Sequence, residues 1–234
     1  MLFSYFAIFD RAERADMRLS PGDLARVVEI ARTTPLLRKA LVYTPETARD
    51  PYLDDGPSPP LALQLYFDDL AQLEAALARD GHLQALVAPG ALPSLTGAAV
   101  RQQAMLTRRF PVPDARFRTP AGGLPCSYLV HYPGAAADLN EWLAHYVAHH
   151  PPIMARFPDI REVEVYTRVD WCGFLPWPRD DYMQRNKVVF DSAAALTAAL
   201  NSPVRHEMRA DFNRFPPYTG ANVHYPMATL TVVP

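Results

Sequence analysis

The sequence Val165-Tyr166-Thr167 repeats Val42-Tyr43-Thr44, which stands 123 positions earlier. The same offset relates several further matched pairs: Ser4-Tyr5 with Ser127-Tyr128, Phe67-Asp68 with Phe190-Asp191, Leu73–Leu77 with Leu196–Leu200, and Thr96-Gly97 with Thr219-Gly220. One constant offset across separate blocks indicates an internal duplication. We therefore predict two copies of one unit of roughly 115 residues, which is the usual size of a small domain.

The copies are separated by a stretch rich in Pro, Gly and Arg, which is typical of a linker. We place the first copy at residues 1–109, the linker at 110–125 and the second copy at 126–234. The matched blocks lie within the two copies, so each copy is expected to have the same fold.

Within the second copy, the hydrophobic pattern predicts the element order β-α-β-β-α-β. The predicted elements are the strand 127–132, the helix opened by Asp138, the strand 162–169, the strand 187–190, the helix 193–200 and the strand 227–233. The first copy repeats them at 2–9, 21–39, 41–44, 62–67, 69–77 and 103–108. This order is the ferredoxin-like split unit. A sheet with helices on one face needs a cover on the other, so we predict an α+β fold in which two antiparallel sheets form one intramolecular barrel around a cavity.

Composition excludes several classes of protein. The chain has 234 residues with a formal charge of −2, and no apolar run approaches the ~20 residues of a membrane span. No basic patch suited to nucleic acid is present. The start lacks a basic segment and a cleavage site, and Cys126 and Cys172 form neither a disulfide framework nor a CxxC motif. We expect a cytoplasmic protein that binds neither nucleic acid nor membrane.

Two segments of the second copy resemble the EthD-like family. His150 to Arg161, which reads HPPIMARFPDIR, is similar to the family's "H-x-P-L … L-P-G-L" signature, and Phe190 to Pro203 is similar to its "F-D-S … A-L … S-P" segment. The resemblance implies a dimeric α/β barrel. Asp159 replaces the signature glycine, and in the first copy Thr33 stands where His150 stands. Barrel relatives include cofactor-free monooxygenases, cyclases and isomerases, and also haem enzymes, so the reaction is left open.

Histidine is distributed unevenly between the copies. Six of the seven histidines lie in the second copy, and by the repeat His131 replaces Ile8 while His224 replaces Arg101. A polar, titratable set in only one copy predicts one competent site, lined mainly by the second copy.

Strand alternation predicts which side chains could meet in that site. We expect His131, Glu164, Tyr166 and Arg168 to face the cavity, because the opposite strand faces are apolar. A histidine suits proton abstraction next to a carbonyl, and Tyr166 or Arg168 could stabilise an enolate oxygen. The alternative is a packed histidine beside an ordinary ion pair. His150 is a second acid/base candidate, although at a helix end it could serve only the helix dipole.

The loop 170–182 is dense in aromatic residues, including Trp171, Trp177 and Tyr182. Such a loop could close over an apolar ligand, or it could pack against the other copy's helices. His224 is a further candidate for the cavity wall. His145 and His149 have a metal-ligand spacing, but no third ligand is in register, so no metal is expected.

Three hypotheses remain open from the sequence. The first is a cofactor-independent enzyme that moves a proton on a small apolar or aromatic carbonyl compound, such as a lactone, a quinol or a polyketide-like ring. The second is a haem enzyme with one of these histidines as axial ligand. The third is a non-catalytic ligand-binding protein. A homodimer is optional because the chain supplies both sheets itself.

Overall fold

The computed structural model describes residues 1–12 and 14–234. These ranges contain eight strands and five α-helices. The strands are β1 (Leu2–Asp10), β2 (Lys39–Pro45), β3 (Leu61–Phe67), β4 (Ala99–Phe110), β5 (Cys126–Tyr132), β6 (Glu162–Arg168), β7 (Gln184–Phe190) and β8 (Val223–Val232). The helices are α1 (Pro21–Arg32), α2 (Leu70–Ala76), α3 (Leu139–Met154), α4 (Ala193–Leu200) and α5 (Pro203–Phe212). Within these ranges, no helix is long and apolar enough to cross a membrane.

The eight strands form one closed antiparallel barrel in the order β1-β3-β2-β8-β5-β7-β6-β4. Each half contributes four adjacent strands with the same internal order. The halves are joined twice, because β2 pairs with β8 and β4 pairs with β6. The predicted α+β barrel built from two ferredoxin-like units is therefore confirmed. Closure of the barrel leaves no free sheet edge.

Strand register follows the repeat. In the first half Phe3 is opposite Phe67, and in the second half Cys126 is opposite Phe190, 123 positions later in both strands. Left-handed backbone recurs at the same spacing, since φ is +60° at Leu36 and +56° at Asp159. A positive φ at a leucine is unusual. Its recurrence indicates that the turn after the long helix has one geometry in both halves.

The last strand departs from the offset by one residue. On β8, His224 is opposite Val130, whereas the equivalent pair in the first half is Gln102 opposite Ala7. His224 therefore occupies the position of Gln102, and its predicted equivalence with Arg101 is wrong. The slip matters because a shift of one residue moves a side chain to the other face of a sheet.

The first helix of each half also differs from the prediction. Helix α1 ends at Arg32 and not at Lys39, because a turn with left-handed Leu36 separates it from β2. Helix α3 continues through Pro151 and Pro152, although proline within a helix usually ends or kinks it. Both prolines fall in its last turns, where the loss of two N–H donors affects only two carbonyl groups. Asp138 caps α3 as predicted, accepting hydrogen bonds from the N–H groups of Asn140 and Glu141.

The side chains form three layers. The outer face of each four-stranded sheet packs on the helices of its own half, which gives two apolar layers. The inner faces of both halves meet inside the barrel, where smaller apolar clusters alternate with buried polar groups. The chain therefore offers two kinds of interior, one inside the barrel and one between each sheet and its helices.

Candidate functional site

The barrel interior contains the strand residues that the sequence predicted as a site, but it does not bring all of them together. His131 lies beside Arg185 on β7, while Glu164 and Tyr166 contact each other farther along the barrel. Arg168 lies at the rim, where its guanidinium pairs with exposed Asp181 at 2.9 Å. The predicted convergence of these four side chains is therefore absent from the structure.

Glu164 is the centre of a dense buried network. Its carboxylate accepts hydrogen bonds from the hydroxyl groups of Tyr66 (2.6 Å) and Tyr166 (2.7 Å), and it lies 3.1 Å from the Lys187 ammonium. Burial opposes ionisation, but the charges of Lys187 and Lys39 outweigh it and lower the pKa of Glu164 to about 2. The side chains of Glu164, Tyr66, Tyr166 and Lys187 thus hold one another in a fixed geometry. This network occupies both oxygen atoms of Glu164 and leaves them no role as a base at neutral pH.

His131 is also engaged by the protein. The Arg185 guanidinium can only donate, so its 2.7 Å contact makes Nδ1 of His131 an acceptor. Burial and the Arg185 charge hold the pKa of His131 well below its ordinary value, so the ring is neutral and its proton lies on Nε2. Nε2 has no hydrogen-bond partner among the described residues. His131 therefore has no basic nitrogen available to a ligand.

A cavity of about 50 Å³ lies outside the barrel, between the sheet of the second half and helices α3 and α5. A water molecule takes up about 30 Å³ of liquid, so this space is small. Its lining is mainly apolar and includes Leu53, Tyr128, Val130, Tyr132, Met154, Phe157, Val188, Leu200, Met208 and Phe212. Its polar lining consists of His150, Asn186, Arg205, Arg209, Asn222 and His224. An apolar cavity with a few polar groups is the usual form of a small-molecule site.

His150 reaches this cavity from the last turns of α3. Its Nδ1 donates a hydrogen bond to Asp211 of α5 at 2.7 Å, because the carboxylate can only accept. Burial lowers the pKa of His150, although the bond to Asp211 opposes this shift. Burial works against ionisation of Asp211, but the His150 hydrogen bond outweighs it and lowers the pKa of Asp211. The pair therefore holds a neutral imidazole whose Nε2 lone pair is available as a base.

His224 reaches the same cavity from β8. Its Nδ1 donates to Asp55 at 2.7 Å, and its backbone N–H donates to the same carboxylate at 2.8 Å. These hydrogen bonds, the side-chain one first, lower the pKa of Asp55. Asp55 belongs to the first half of the chain. The cavity is consequently bordered by two histidine–carboxylate pairs, one of which joins both halves.

The loop between β2 and β3 closes this side of the cavity. Asp50 of the loop pairs with Arg205 at 2.9 Å and accepts a hydrogen bond from Tyr128 at 3.2 Å. Leu53 adds an apolar contact surface, and the loop borders a second, outer cleft of about 220 Å³ that shares Tyr128 and His224 with the inner cavity. The first half therefore contributes a wall of the site as well as half of the barrel.

The corresponding space in the first half is filled. The loop between β6 and β7, equivalent to the one just described, crosses to the first half, where Trp171 packs on Tyr5 and Trp177 packs on Phe9 with ring centroids 6.0 and 5.3 Å apart. Leu175 is buried in the same apolar layer. Of the two alternatives for the aromatic loop, the structure shows packing against the other half. Tyr182 instead lies at the end of the barrel, where the Arg185 guanidinium carbon is 4.2 Å from the centroid of the Tyr182 ring.

The turns that follow α1 and α3 also show which residue of the first half is equivalent to His150. Leu37 N–H donates to the Thr34 carbonyl, and Ile160 N–H donates to the Phe157 carbonyl, so the 123-residue offset holds at the ends of α1 and α3. Position 150 therefore matches Val27, not Thr33. Val27 is buried in the apolar layer of the first half. The first half thus has an apolar residue where the second half has its candidate base.

Sequence analysis missed the carboxylate partners. Asp211 and Asp55 lie 61 and 169 residues from the histidines they contact, and neither belongs to a recognisable motif. Among the described residues, no group of three or more His, Cys, Asp or Glu is placed to hold a metal ion. Asp211 lies on α5, and only the packing of that helix on α3 turns its carboxylate toward His150.

Comparisons with known proteins agree with this architecture. An anthrone oxidase-like protein aligns with a TM-score of 0.61 at 12% identity, over 99% of this chain and 93% of that one. A candidate monooxygenase from Fusobacterium nucleatum subsp. nucleatum aligns with a TM-score of 0.56 at 6% identity, over 99% and 94% of the two chains. No protein-family model and no curated protein matches the sequence.

An EthD family protein from Bacillus halodurans also aligns, at 17% identity over 42% of this chain and 96% of that one, with a TM-score of 0.34. That score is too low to support membership of the family. At these identities the likeness concerns the fold alone. The barrel topology and the full-length alignments together show that this chain has the dimeric α/β-barrel fold, with both barrel halves in one polypeptide.

Proposed function

We propose that this protein binds a small apolar or aromatic carbonyl compound in the cavity between the second sheet and helices α3 and α5 together with the adjoining cleft of about 220 Å³, and that it moves a proton on that compound without a cofactor. The observation that carries the proposal is the pairing of His150 with Asp211 and of His224 with Asp55 around one apolar cavity. Fixed carboxylates that accept from Nδ1 leave Nε2 as the reactive nitrogen of each ring. At His224 the Asn222 side-chain amide approaches this nitrogen at 3.4 Å, so the Nε2 of His150 is the better base.

In the proposed reaction, His150 acts as the base. Its Nε2 removes a proton from the carbon next to the ligand carbonyl, and Asp211 stabilises the imidazolium that forms. The lowered pKa of His150 keeps the ring neutral and ready at pH 7. The His150 imidazolium then returns the proton to a second carbon of the enolate, which regenerates the neutral ring, while His224, held by Asp55, borders the same ligand. The apolar lining excludes water, which strengthens both electrostatic interactions.

Proton removal can be tested before the natural substrate is identified. In D₂O, an enzyme of this kind exchanges the proton next to a carbonyl for deuterium, whatever the complete reaction is. A panel of small lactones and aromatic ketones is incubated with the protein, and deuterium incorporation is followed by NMR. We expect exchange above the buffer rate for at least one compound, and a decrease of about 10²- to 10⁴-fold in His150→Gln.

Exposed His149, one residue away on α3, provides the matched control, and His149→Gln should retain the exchange rate. Asp211→Asn should lower the rate while leaving the fold intact by circular dichroism, since Asp211 positions the ring. Equal exchange by wild type and His150→Gln would contradict the assignment. An absence of exchange with every compound in the panel would contradict proton-transfer chemistry on this class of ligand.

Membership of the EthD-like family belongs to the same proposal. His150, the histidine of the family-like signature, lines the cavity. Asp159, which replaces the signature glycine, has a left-handed φ of +56°, the backbone conformation that glycine adopts most readily. On this proposal, the signature combines one cavity-lining residue, His150, with one turn residue, Asp159.

Haem binding is the weaker alternative. A histidine whose second nitrogen donates to a carboxylate is also a common form of metal ligand, and both His150 and His224 have it. A cavity of about 50 Å³, however, does not fit a porphyrin without displacement of the loop or of α5. A Soret band after expression with added haem would favour this alternative over proton transfer.

A further inference from the structure

The chain contains two lysines, and both lie at the same end of the barrel. Lys39 begins β2, and Lys187 lies in the middle of β7. Each approaches the carboxylate of Glu162, with Nζ-to-oxygen distances of 3.8 Å for Lys39 and 2.5 Å for Lys187. An open cleft of about 490 Å³ lies at this end of the barrel, and Lys39 forms part of its wall. Among the described residues, none that lines this cleft also lines the candidate functional site.

Positive charge exceeds negative charge at this end of the barrel. Four cations face three carboxylates; the cations are Arg38, Lys39, Arg109 and Lys187, and the carboxylates are Asp68, Glu162 and Glu164. Arg38 and Asp68 form a pair 3.4 Å apart in which both side chains are exposed. The two remaining carboxylates are shared by three cations, because Lys187 contacts both of them. One positive charge is therefore left over, whichever way the ion pairs are assigned.

The neighbouring tyrosines do not supply the missing negative charge. Burial first, and then the charge of Glu164, raises the pKa of Tyr66 and of Tyr166 well above the ordinary value, so both are neutral. Both hydroxyl groups donate to Glu164. Burial first, and then the charge of Lys187, lowers the pKa of Lys39. The like charge of Lys187 thus acts on a side chain that lines the cleft.

Two side chains of the cleft have unused hydrogen-bond donors. Nζ of Lys39 lies 4.5 Å from the Tyr66 ring centroid, and its nearest carboxylate oxygen among the described residues is 3.8 Å away, which is beyond hydrogen-bond distance. Arg109 donates from Nε to Glu164 at 3.1 Å, which leaves its two terminal nitrogens available. The Lys39 side chain is 23% exposed and that of Arg109 is 61% exposed, so both can be reached from solvent.

We infer that this cleft is a second ligand site, which binds a small oxyanion, in the form of a phosphate or a carboxylate group, between Lys39 and Arg109. An anion there compensates the surplus positive charge, which is costly to leave unpaired in a partly buried position. The terminal nitrogens of an arginine form parallel hydrogen bonds with such groups, and a lysine ammonium adds a point charge. The volume of about 490 Å³ accommodates a small molecule that carries the oxyanion. The inference is independent of the proposed function, because it concerns the end of the barrel and not the cavity beside α3 and α5.

The presence of only two lysines makes this site suitable for NMR. Protein labelled with ¹³C at lysine gives two Cε signals, and Lys39→Met identifies the signal of Lys39. Sodium phosphate and sodium acetate are titrated separately at pH 7, with sodium chloride holding the ionic strength constant so that screening does not change. We expect the Lys39 signal to shift saturably with at least one probe, and the tighter of the two shows which group the site prefers. The pKa of Lys39, read from the same signal, should rise when the probe is bound, because a nearby anion favours the ammonium form.

Variants of the cleft locate the bound probe. Arg109→Gln removes the guanidinium and should weaken binding at least 10-fold. Arg108→Gln is the matched control, because this exposed neighbour on β4 does not line the cleft, and its dissociation constant should stay within about two-fold of wild type. Arg109→Lys keeps a cation beside Glu164 and so retains the fold if Arg109→Gln does not. It should still bind the probe less tightly than Arg108→Gln does.

A Lys39 signal that shifts linearly, without saturation, for both probes would overturn the inference. Binding by Arg109→Gln, or by Arg109→Lys if that variant replaces it, as tight as that of wild type would overturn it too. His150→Gln, which removes the proposed base, should leave the Lys39 titration unchanged. Failure of the proposed function and failure of this second site are therefore observed separately.

Discussion

Replacement of Lys187 by methionine should destabilise the protein strongly. The Lys187 ammonium is fully buried in the barrel, 2.5 Å from Glu162 and 3.1 Å from Glu164, and it donates to the Tyr66 hydroxyl at 2.8 Å. Methionine has similar volume but no charge, so the buried Glu164 carboxylate would lose its one buried cation and keep only Arg109, whose largely exposed side chain approaches it at 3.1 Å. Removal of one partner of a buried ion pair costs about 3–5 kcal/mol. We expect a loss of that size in the free energy of unfolding at pH 7.

The pH dependence of the free energy of unfolding gives a second estimate of what the ionised Glu164 contributes to stability. The pKa of Glu164 is about 2 in the folded protein against an ordinary value of 4.5. A lowered carboxyl pKa contributes stability that is complete above the unfolded pKa and is lost as the pH falls toward the folded pKa. A shift of this size corresponds to roughly 3 kcal/mol. Without Lys187 the pKa of Glu164 should rise, so the difference between wild type and Lys187→Met should shrink between pH 7 and pH 4.

Urea unfolding followed by circular dichroism at both pH values measures these differences. Lys39→Met is the matched control, because the Lys39 ammonium lies 3.8 Å from Glu162 at the barrel rim and should contribute less than about 1 kcal/mol. The double variant Lys187→Met/Glu164→Gln should be more stable at pH 7 than Lys187→Met alone, since the fully buried carboxylate is gone and the charges that lose a partner, Glu162 and Arg109, both reach solvent. A cost below 1 kcal/mol for Lys187→Met, or a double variant less stable than the single, would refute the reasoning.

Three further predictions concern the rest of the chain. Gly134→Ala should lower the melting temperature markedly, because its Cβ would overlap the Thr219 backbone carbonyl; an unchanged melting temperature would contradict the close approach. One thiol, Cys172, should react with Ellman's reagent in the native protein and two in denaturant, because burial raises the pKa of Cys126 to about 12; two rapid native thiols would be inconsistent with this. Trp171→Ala should lower the free energy of unfolding, measured in urea, by about 2 kcal/mol, because the indole ring packs on Tyr5 in the apolar layer of the first half. An unchanged free energy of unfolding would mean that the loop does not fill this space.

Much of the fold is visible in the sequence because duplication leaves a periodic signal. The offset of 123 residues holds in strand pairing, in the turns at Leu36 and Asp159, and at the ends of the long helices. Among the strands it fails only at β8, where the second half is one residue shorter, and α3 also begins earlier than the offset from α1 predicts. A single deletion inside a weakly matched block leaves no trace in composition or periodicity. Sequence alone therefore matched His224 with Arg101 of the first half, whereas its structural equivalent is Gln102.

The candidate site was less accessible to sequence analysis for a physical reason. Alternation correctly places His131, Glu164 and Tyr166 on the inner face of the barrel, but polar side chains on an inner face can satisfy each other instead of a ligand. Here Lys187 and Arg185 do so. The open cavity lies on the opposite, largely apolar face, which the sequence assigned to packing against helices.

The functional assignment of that cavity depends on contacts between distant parts of the chain. His150 was a candidate because of its motif, and His224 because of the uneven distribution of histidines. Their shared hydrogen-bond pattern, Nδ1 to a carboxylate, depends on Asp211 and Asp55, which no local pattern connects with them. The β6–β7 loop fills the space beside the first sheet, whereas the β2–β3 loop leaves the cavity beside the second sheet open. This difference likewise depends on tertiary contacts.

The central claim is that His150 is a neutral imidazole with its proton on Nδ1 and a free basic Nε2. Long-range ¹H–¹⁵N correlation NMR of ¹⁵N-histidine-labelled protein at pH 7 measures this directly, with assignment by the His150→Gln variant. The account predicts a protonated Nδ1 and an unprotonated Nε2 for His150, and the opposite tautomer for His131, whose Nδ1 accepts from Arg185. A doubly protonated ring, or a proton on Nε2 of His150, would contradict it.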